Sequence, residues 1–228
     1  MTAFPRRLAA AVFDLDGVLV DTARLHYRAW KRLADELGIP FDEKANEALK
    51  GVDRMRSLEL VLSPSNHHFT PKERIALADR KNAWYRDEIY RLTPSDLFEG
   101  ARETLQALRA AGLRTALASA SKNAPLLLDR LGLRDAFDAV IDPGRIRHGK
   151  PAPDIFTAAA EALSALPGDC LGVEDSVAGI LAIKSAGMWA LGIGDPAILA
   201  QADRVLPHIS SFKLRDFIAP AAQVADVR

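Results

Sequence analysis

Short apolar runs alternate along the chain with longer segments in which apolar residues recur every three or four positions. LAAAVF (8–13), RTALAS (114–119), FDAVID (137–142), CLGVED (170–175) and MWALGIG (188–194) have the length and continuity of buried strands. Between them, ARETLQALRAAG (101–112), APLLLDRLG (124–132), APDIFTAAAEAL (152–163) and VAGILAIKSAG (177–187) carry the period of amphipathic helices. Several end in glycine, the residue that most readily takes the left-handed conformation closing a helix. Strands alternating with helices predict right-handed crossovers on a Rossmann-like parallel sheet with helices on both faces, an α/β fold.

The stretch 22–93 breaks this alternation. It reads as helix after helix: ARLHYRAWKRLADELG, DEKANEALKG, DRMRSLELVL and PKERIALADRKNAWYRDEIY, with SPSNHHFTP (63–71) as the long loop. A strand-free block entering directly after the first strand predicts an all-α cap inserted into the core. The expected division is a core of residues 1–20 and 94–228 and a helical cap of residues 21–93.

Composition narrows the field of partners. Thirty basic residues balance thirty acidic ones, so neither nucleic acid nor a membrane surface is the expected partner, although a local anion pocket remains open. Apolar residues at 49% and charged residues at 26% suit an ordinary soluble globular protein, and no window approaches the length of a membrane span. The lone Cys170 excludes an internal disulfide framework, reads as a buried thiol, and fits the cytoplasm. Arg6 and Arg7 precede only six apolar residues, too few for a signal peptide, and read as surface charge. A monomer is expected, because a cap that must swing leaves little surface for a fixed partner.

The chemistry gathers at strand ends, where parallel sheets bind their ligands. Four of the five runs end in polar groups: Asp14, Ser119, Asp142 and Glu174–Asp175. In DLDGV, Asp14 closes the first strand and Asp16, two positions on, points to the same side while the chain stays extended. Two such carboxylates, completed by Glu174 and Asp175, suit a hard divalent cation such as Mg²⁺. A carboxylate is ionised at neutral pH and attacks phosphorus without a base; its obstacle is the charge of the phosphoryl group. Mg²⁺ and Lys150, in GKPAPDIF, would remove that obstacle. Ser119 would donate a hydrogen bond to a phosphoryl oxygen, and Asp16 would serve as general acid and base. Taken alone, Asp14 and Asp16 also fit a turn or helix cap, and Glu174–Asp175–Ser176 the cap of a helix starting at Val177. The presence of Lys150 in register favours the phosphoryl-transfer reading.

DLDGV, the strand end at Ser119, KPAPDIF and GVEDS, in this order, resemble the four motifs of the haloacid dehalogenase superfamily of phosphotransferases. The resemblance implies that Asp14 is phosphorylated as a covalent intermediate with Asp16 as acid and base. It also implies Mg²⁺ held by Asp14, the Asp16 backbone carbonyl and Asp175, with Glu174 nearby.

Most proteins with such motifs hydrolyse phosphate esters, whereas a sugar phosphomutase must grip a bisphosphate at both ends. ASKN places Ser121, a potential helix N-cap, with Lys122 and Asn123, beside Ser119; KGVDRMRSL supplies Arg54, a bidentate phosphate ligand. In isolation the first is an ordinary helix start. His26 and Trp30, four apart on one helix face, would be a solvated side chain and a core residue, and Lys81 one of a solvated pair with Arg80. His67–His68 has no partner at ligand spacing.

The stretches DLDGVLVDTARLHYRAW, LKGVDRMRSL, ADRKNAWY and LASASKN are similar to the sugar-phosphate mutases of this superfamily, in cap and core alike. That similarity implies conversion of beta-glucose 1-phosphate into glucose 6-phosphate through beta-glucose 1,6-bisphosphate. It implies Thr22 as a hinge and His26 with Lys81 as a network steering Asp16. Trp30 and the segment Leu49, Lys50, Gly51 to Arg54 would contact the sugar and its distal phosphate, opposite Ala120, Ser121, Lys122 and Asn123. Asp53 stands where a small neutral residue is expected, and either weakens Arg54 or faces solvent. The competing functions are a sugar-phosphate phosphatase and a non-catalytic phosphosugar binder; an intact Asp16 argues against the latter.

Overall fold

The apolar run at the start of the chain becomes β1 (Ala10–Phe13), central in the sheet and inaccessible to solvent. In this computed structural model, residues 8–217 are described, so the expectation for Arg6 and Arg7 lies outside them. β1 pairs in parallel with β2 (Arg114–Leu117) on one side and β4 (Cys170–Glu174) on the other. β3 (Ala139–Val140), β5 (Trp189–Ile193) and β6 (Arg204–Leu206) extend the sheet to the order β3-β2-β1-β4-β5-β6, parallel throughout. Chain order reverses at β1, and the crevice beyond its carboxyl end is where such sheets take ligands.

Both faces of the sheet are covered, which explains why the runs lack polar alternation. Phe13, Leu117 and Val173 pack with α5 (Ala101–Ala110) and α6 (Ala124–Leu131). Val12, Ala116 and Cys170 pack with α7 (Asp154–Ala162) and α8 (Val177–Ser185) on the other face. The Cys170 thiol donates to the Leu166 carbonyl at 3.3 Å, and burial pushes its pKa up to about 11.

Between β1 and β2, α1 (Ala23–Glu36), α2 (Glu43–Glu47), α3 (Arg54–Leu62) and α4 (Pro71–Ile89) form a helical lobe. Its own apolar cluster includes Trp30, Leu33, Leu58, Val61 and Leu77. Thr70 and Glu73 form a capping box with Pro71 at the first helical position, which sets the start of α4. The roots of the lobe are anchored elsewhere: Leu25 and Ala29 of α1, with Tyr85 and Ile89 of α4, belong to the core cluster under the sheet. Among the described residues, no helix is long and apolar enough to cross a membrane.

Candidate active site

Asp14 follows β1 directly and is locked there by its N–H, which donates to the Val173 carbonyl of β4 at 2.9 Å. Lys150 Nζ lies 2.7 Å from Asp14 Oδ1 and 2.6 Å from Glu174 Oε1, with its side chain almost fully enclosed. Glu174 spends its second oxygen on the Ser176 N–H at 2.7 Å, at the start of α8, where the Ser176 hydroxyl caps the helix by accepting from Gly179 N–H at 3.0 Å. It therefore orients Lys150 as well as facing the cation site.

Asp14, Glu174 and Asp175 bring carboxylate oxygens within 4.8 Å of one another. Burial pushes Asp14 up to about 7, with Lys150 opposing the rise and Glu174 and Asp16 adding to it. Burial, then Glu174 and Asp14, raise Asp175 well above the usual carboxylate range. Burial works against the Lys150 ammonium, but Asp14 and Glu174 outweigh it and raise its pKa. Three carboxylates against one buried ammonium leave excess negative charge on hard oxygen donors, which is the chemistry Mg²⁺ requires. Gly17 makes the close packing possible: its φ is +82°, and a Cβ there would sit 2.1 Å from Asp175 Oδ2.

Asp16 is held by donors from both lobes. The Thr22 hydroxyl at the head of α1 and Tyr85 of α4, at 3.3 Å, both donate to its Oδ1, and Ser119 donates to Oδ2 at 3.4 Å. His26 Nε2 lies 3.8 Å from the same Oδ1, and His26 Nδ1 lies 2.8 Å from Lys81 Nζ. Lys81 is buried, its ammonium 4.4 Å from the centre of the Trp30 ring and 4.7 Å from that of Tyr85. Burial, reinforced by Arg54, lowers Lys81 to about 7, while Asp16 opposes the fall. Burial and Lys81 also hold His26 well below its ordinary value. A neutral His26 accepting from Lys81 at Nδ1 carries its proton on Nε2, facing Asp16. Burial raises the pKa of Asp16 against the pull of its donors, which suits a group that must both take and return a proton.

A cavity of about 300 Å³ between the lobes joins Asp14, Asp16 and Asp175 to a second polar wall. The helical lobe lines it with His26, Trp30, Leu49, Lys50, Gly51, Arg54 and Lys81, and the core with Ala120, Ser121, Lys122 and Asn123. All the substrate-contacting positions expected from sequence thus face one space. Arg54 is half-buried at the head of α3, where burial lowers its pKa and Asp79 opposes that fall.

Two expectations are corrected. Ser121 is not the N-cap of α6: the helix begins at Ala124 after Asn123, and the Ser121 hydroxyl accepts from Asn123 N–H at 3.2 Å in the preceding turn. Asp142 does not converge on the site. The short β3 ends early, and the exposed Asp142 turns back to accept from Gly144 N–H at 2.8 Å, leaving Pro143 at the cavity. Of the two alternatives for Asp53, the structure matches the solvent-facing one: the residue is exposed. It is the N-cap of α3, accepting from Met55 and Arg56 N–H at 2.9 and 3.1 Å.

Sequence reasoning missed Tyr85 and Asn82, whose amide oxygen accepts from Asn123 Nδ2 at 2.9 Å. A signal was present in α4. Leu77, Ala78, Lys81, Tyr85 and Ile89 form one buried stripe at three- and four-residue spacing, and a lysine in such a stripe marks a polar site.

Residues 8–187 match the haloacid dehalogenase-like hydrolase family, and the chain belongs to that family as an enzyme. Within it, the chain is 44% identical over 209 residues to the beta-phosphoglucomutase of Bacillus subtilis, covering 91% of this chain and 92% of that protein. The crystal structure of beta-phosphoglucomutase from Clostridium difficile superimposes with a TM-score of 0.88 at 40% identity, over 90% of this chain and 93% of that one. A fructose-1-phosphate phosphatase of Escherichia coli is 31% identical, over 82% of this chain and 97% of its own length.

Proposed function

We propose that the protein is a Mg²⁺-dependent beta-phosphoglucomutase, interconverting beta-D-glucose 1-phosphate and glucose 6-phosphate, with residues 21–93 acting as a cap over a core of 1–20 and 94–228. The observation that supports this reading is one cavity lined both by Asp14 and by a set of phosphate-compatible groups. Lys150 contacts Asp14, and Arg54, Ser121, Lys122 and Asn123 line the same space.

A phosphoryl group on Asp14 passes to the 6-hydroxyl of beta-glucose 1-phosphate while Asp16 takes the hydroxyl proton. This leaves a free Asp14 carboxylate and beta-glucose 1,6-bisphosphate. After the bisphosphate turns end for end, Asp14 attacks the phosphorus at C1, the bond from phosphorus to O1 breaks, and Asp16 returns its proton to O1. The product is glucose 6-phosphate and the phosphorylated enzyme is restored. Mg²⁺ bound by Asp14, Asp175 and the neighbouring Glu174 would offset the charge between carboxylate and phosphoryl oxygens. Lys150 holds Asp14 in line, and Arg54 with Lys122 holds the phosphate that is not reacting. Lobes closed over both phosphates exclude water, which protects the acyl phosphate from hydrolysis.

A second reading, a sugar-phosphate phosphatase using the same intermediate, is favoured by the fructose-1-phosphate phosphatase relative. Arg54→Ala and Lys122→Ala separate the two. Each charge-assisted contact contributes about 1.5–3 kcal/mol, so a mutase loses isomerisation by orders of magnitude in the double variant. A phosphatase retains its turnover number with a modest rise in KM. Both readings require phosphate on Asp14, detectable by mass spectrometry after quenching with the bisphosphate; turnover without that adduct contradicts both.

A further inference from the structure

Asn82 and Lys81 are consecutive on α4 and both line the cavity, yet they bond different partners. Lys81 reaches Asp16 through His26. Asn82 bonds Asn123 at 2.9 Å; the Asn123 N–H is 3.2 Å from Ser121 Oγ; the Ser121 N–H is 3.1 Å from Ser119 Oγ. Ser119 then donates to Asp16 at 3.4 Å. A circuit of hydrogen bonds therefore leaves α4 at Asn82, runs through the core loop, and returns to α4 through Asp16 and Tyr85.

We propose that Asn82 is a positioning residue that couples docking of the helical lobe to the geometry of the distal-phosphate loop. The inference rests on the mutase reading above. Until the lobe docks, the Asn123 amide has no partner from α4, and the loop that presents Ser121 and Lys122 is less constrained. Docking fixes Asn123, so the two lobes meet and the distal phosphate is gripped in one event. The energy of that coupling is available only to a ligand that reaches from Asp14 to the distal grip, which makes Asn82 a selector for such ligands over a free phosphate ion.

The test is a double-mutant cycle for binding, made in an Asp14→Asn background so that no turnover intervenes. Calorimetric titrations with glucose 1,6-bisphosphate and with inorganic phosphate would compare this parent with Asn82→Ala, Asn123→Ala and the pair. The expected loss for Asn82→Ala is about tenfold in bisphosphate affinity, the scale of one hydrogen bond, with phosphate affinity unchanged. The pair should bind no more weakly than Asn123→Ala alone. Asn82→Ser provides a second truncation should the alanine variant fold poorly. Equal losses for both ligands, or additive losses in the pair, would overturn the proposal. Binding is read without catalysis, so a wild-type enzyme that releases glucose and phosphate would sink the mutase reading while leaving this coupling to be judged on its own result.

Discussion

Tyr85, buried in the helical lobe, donates its hydroxyl to Asp16 Oδ1 across the lobe boundary at 3.3 Å. Burial, followed by the charge of Asp16, raises the Tyr85 pKa well above its ordinary value, so the phenol remains a donor. The bond favours the ionised form of Asp16. Tyr85→Phe keeps the ring and removes the donor, so the Asp16 pKa should rise. On the mutase reading, in which Asp16 accepts a proton, the acid limb of kcat/KM for beta-glucose 1-phosphate should move to higher pH. The rate at neutral pH should fall by about three- to tenfold, from a bond of about 0.5–1.5 kcal/mol. A pH profile identical to wild type would show that Tyr85 does not act on Asp16.

Lys150 pairs with two buried carboxylates at once. Lys150→Met leaves Asp14 and Glu174 uncompensated, a loss on the order of 3–5 kcal/mol for a broken buried pair. Urea unfolding without metal should show that loss, and saturating Mg²⁺ should recover part of it by supplying positive charge at Asp14. Phosphorylation of Asp14 should slow by on the order of a hundredfold or more even with Mg²⁺ present. Lys150→Arg should not restore it, because the broad guanidinium does not fit the space of an ammonium.

The pH dependence of metal binding has a defined sign. Asp14 has a folded pKa of about 7, raised from 3.8. A carboxyl raised on folding favours the native state below its unfolded pKa, and that contribution is lost as pH rises through the folded pKa. Without Mg²⁺, Asp14 thus destabilises the protein progressively from about pH 4 to about pH 7. Mg²⁺ competes with that proton, so the stabilisation conferred by a fixed Mg²⁺ concentration should grow between about pH 5 and about pH 8. Unfolding midpoints with and without Mg²⁺ at both pH values check this; an equal gain at each would mean that Asp14 does not hold the metal.

Gly51 allows the helical lobe to press against the catalytic strand ends. Its φ is +72°, and a Cβ would lie 2.5 Å from the Ser176 hydroxyl that caps α8. Gly51→Ala should cost about 1 kcal/mol in stability from the left-handed backbone. It should also lower kcat/KM by more than that figure implies, because the turn leading into α3 and Arg54 would be displaced from the core. Full activity in a protein of reduced thermal stability would confine Gly51 to a structural role.

The parts of the site legible in the sequence are those whose chemistry contradicts their surroundings. Asp14, Asp16, Glu174 and Asp175 end apolar runs, and together with Lys150 in register they point to a cation and a phosphoryl group rather than to separate turns and caps. Strand β6 escaped notice because RVL has three residues, and Arg204 reaches outward to Asp216 at 3.0 Å. Ser121 misled because serine serves equally as a cap and as a turn acceptor two residues ahead of one; only the backbone path decides. Tyr85 shows only its place on the buried stripe of α4 and Asn82 not even that, and their partners are 69 and 41 positions away in the chain.

The most direct test is a product assay followed by phosphorus NMR, with beta-glucose 1-phosphate, Mg²⁺ and a trace of beta-glucose 1,6-bisphosphate. The mutase reading predicts glucose 6-phosphate as the accumulating species. Glucose and inorganic phosphate as the main products would contradict it.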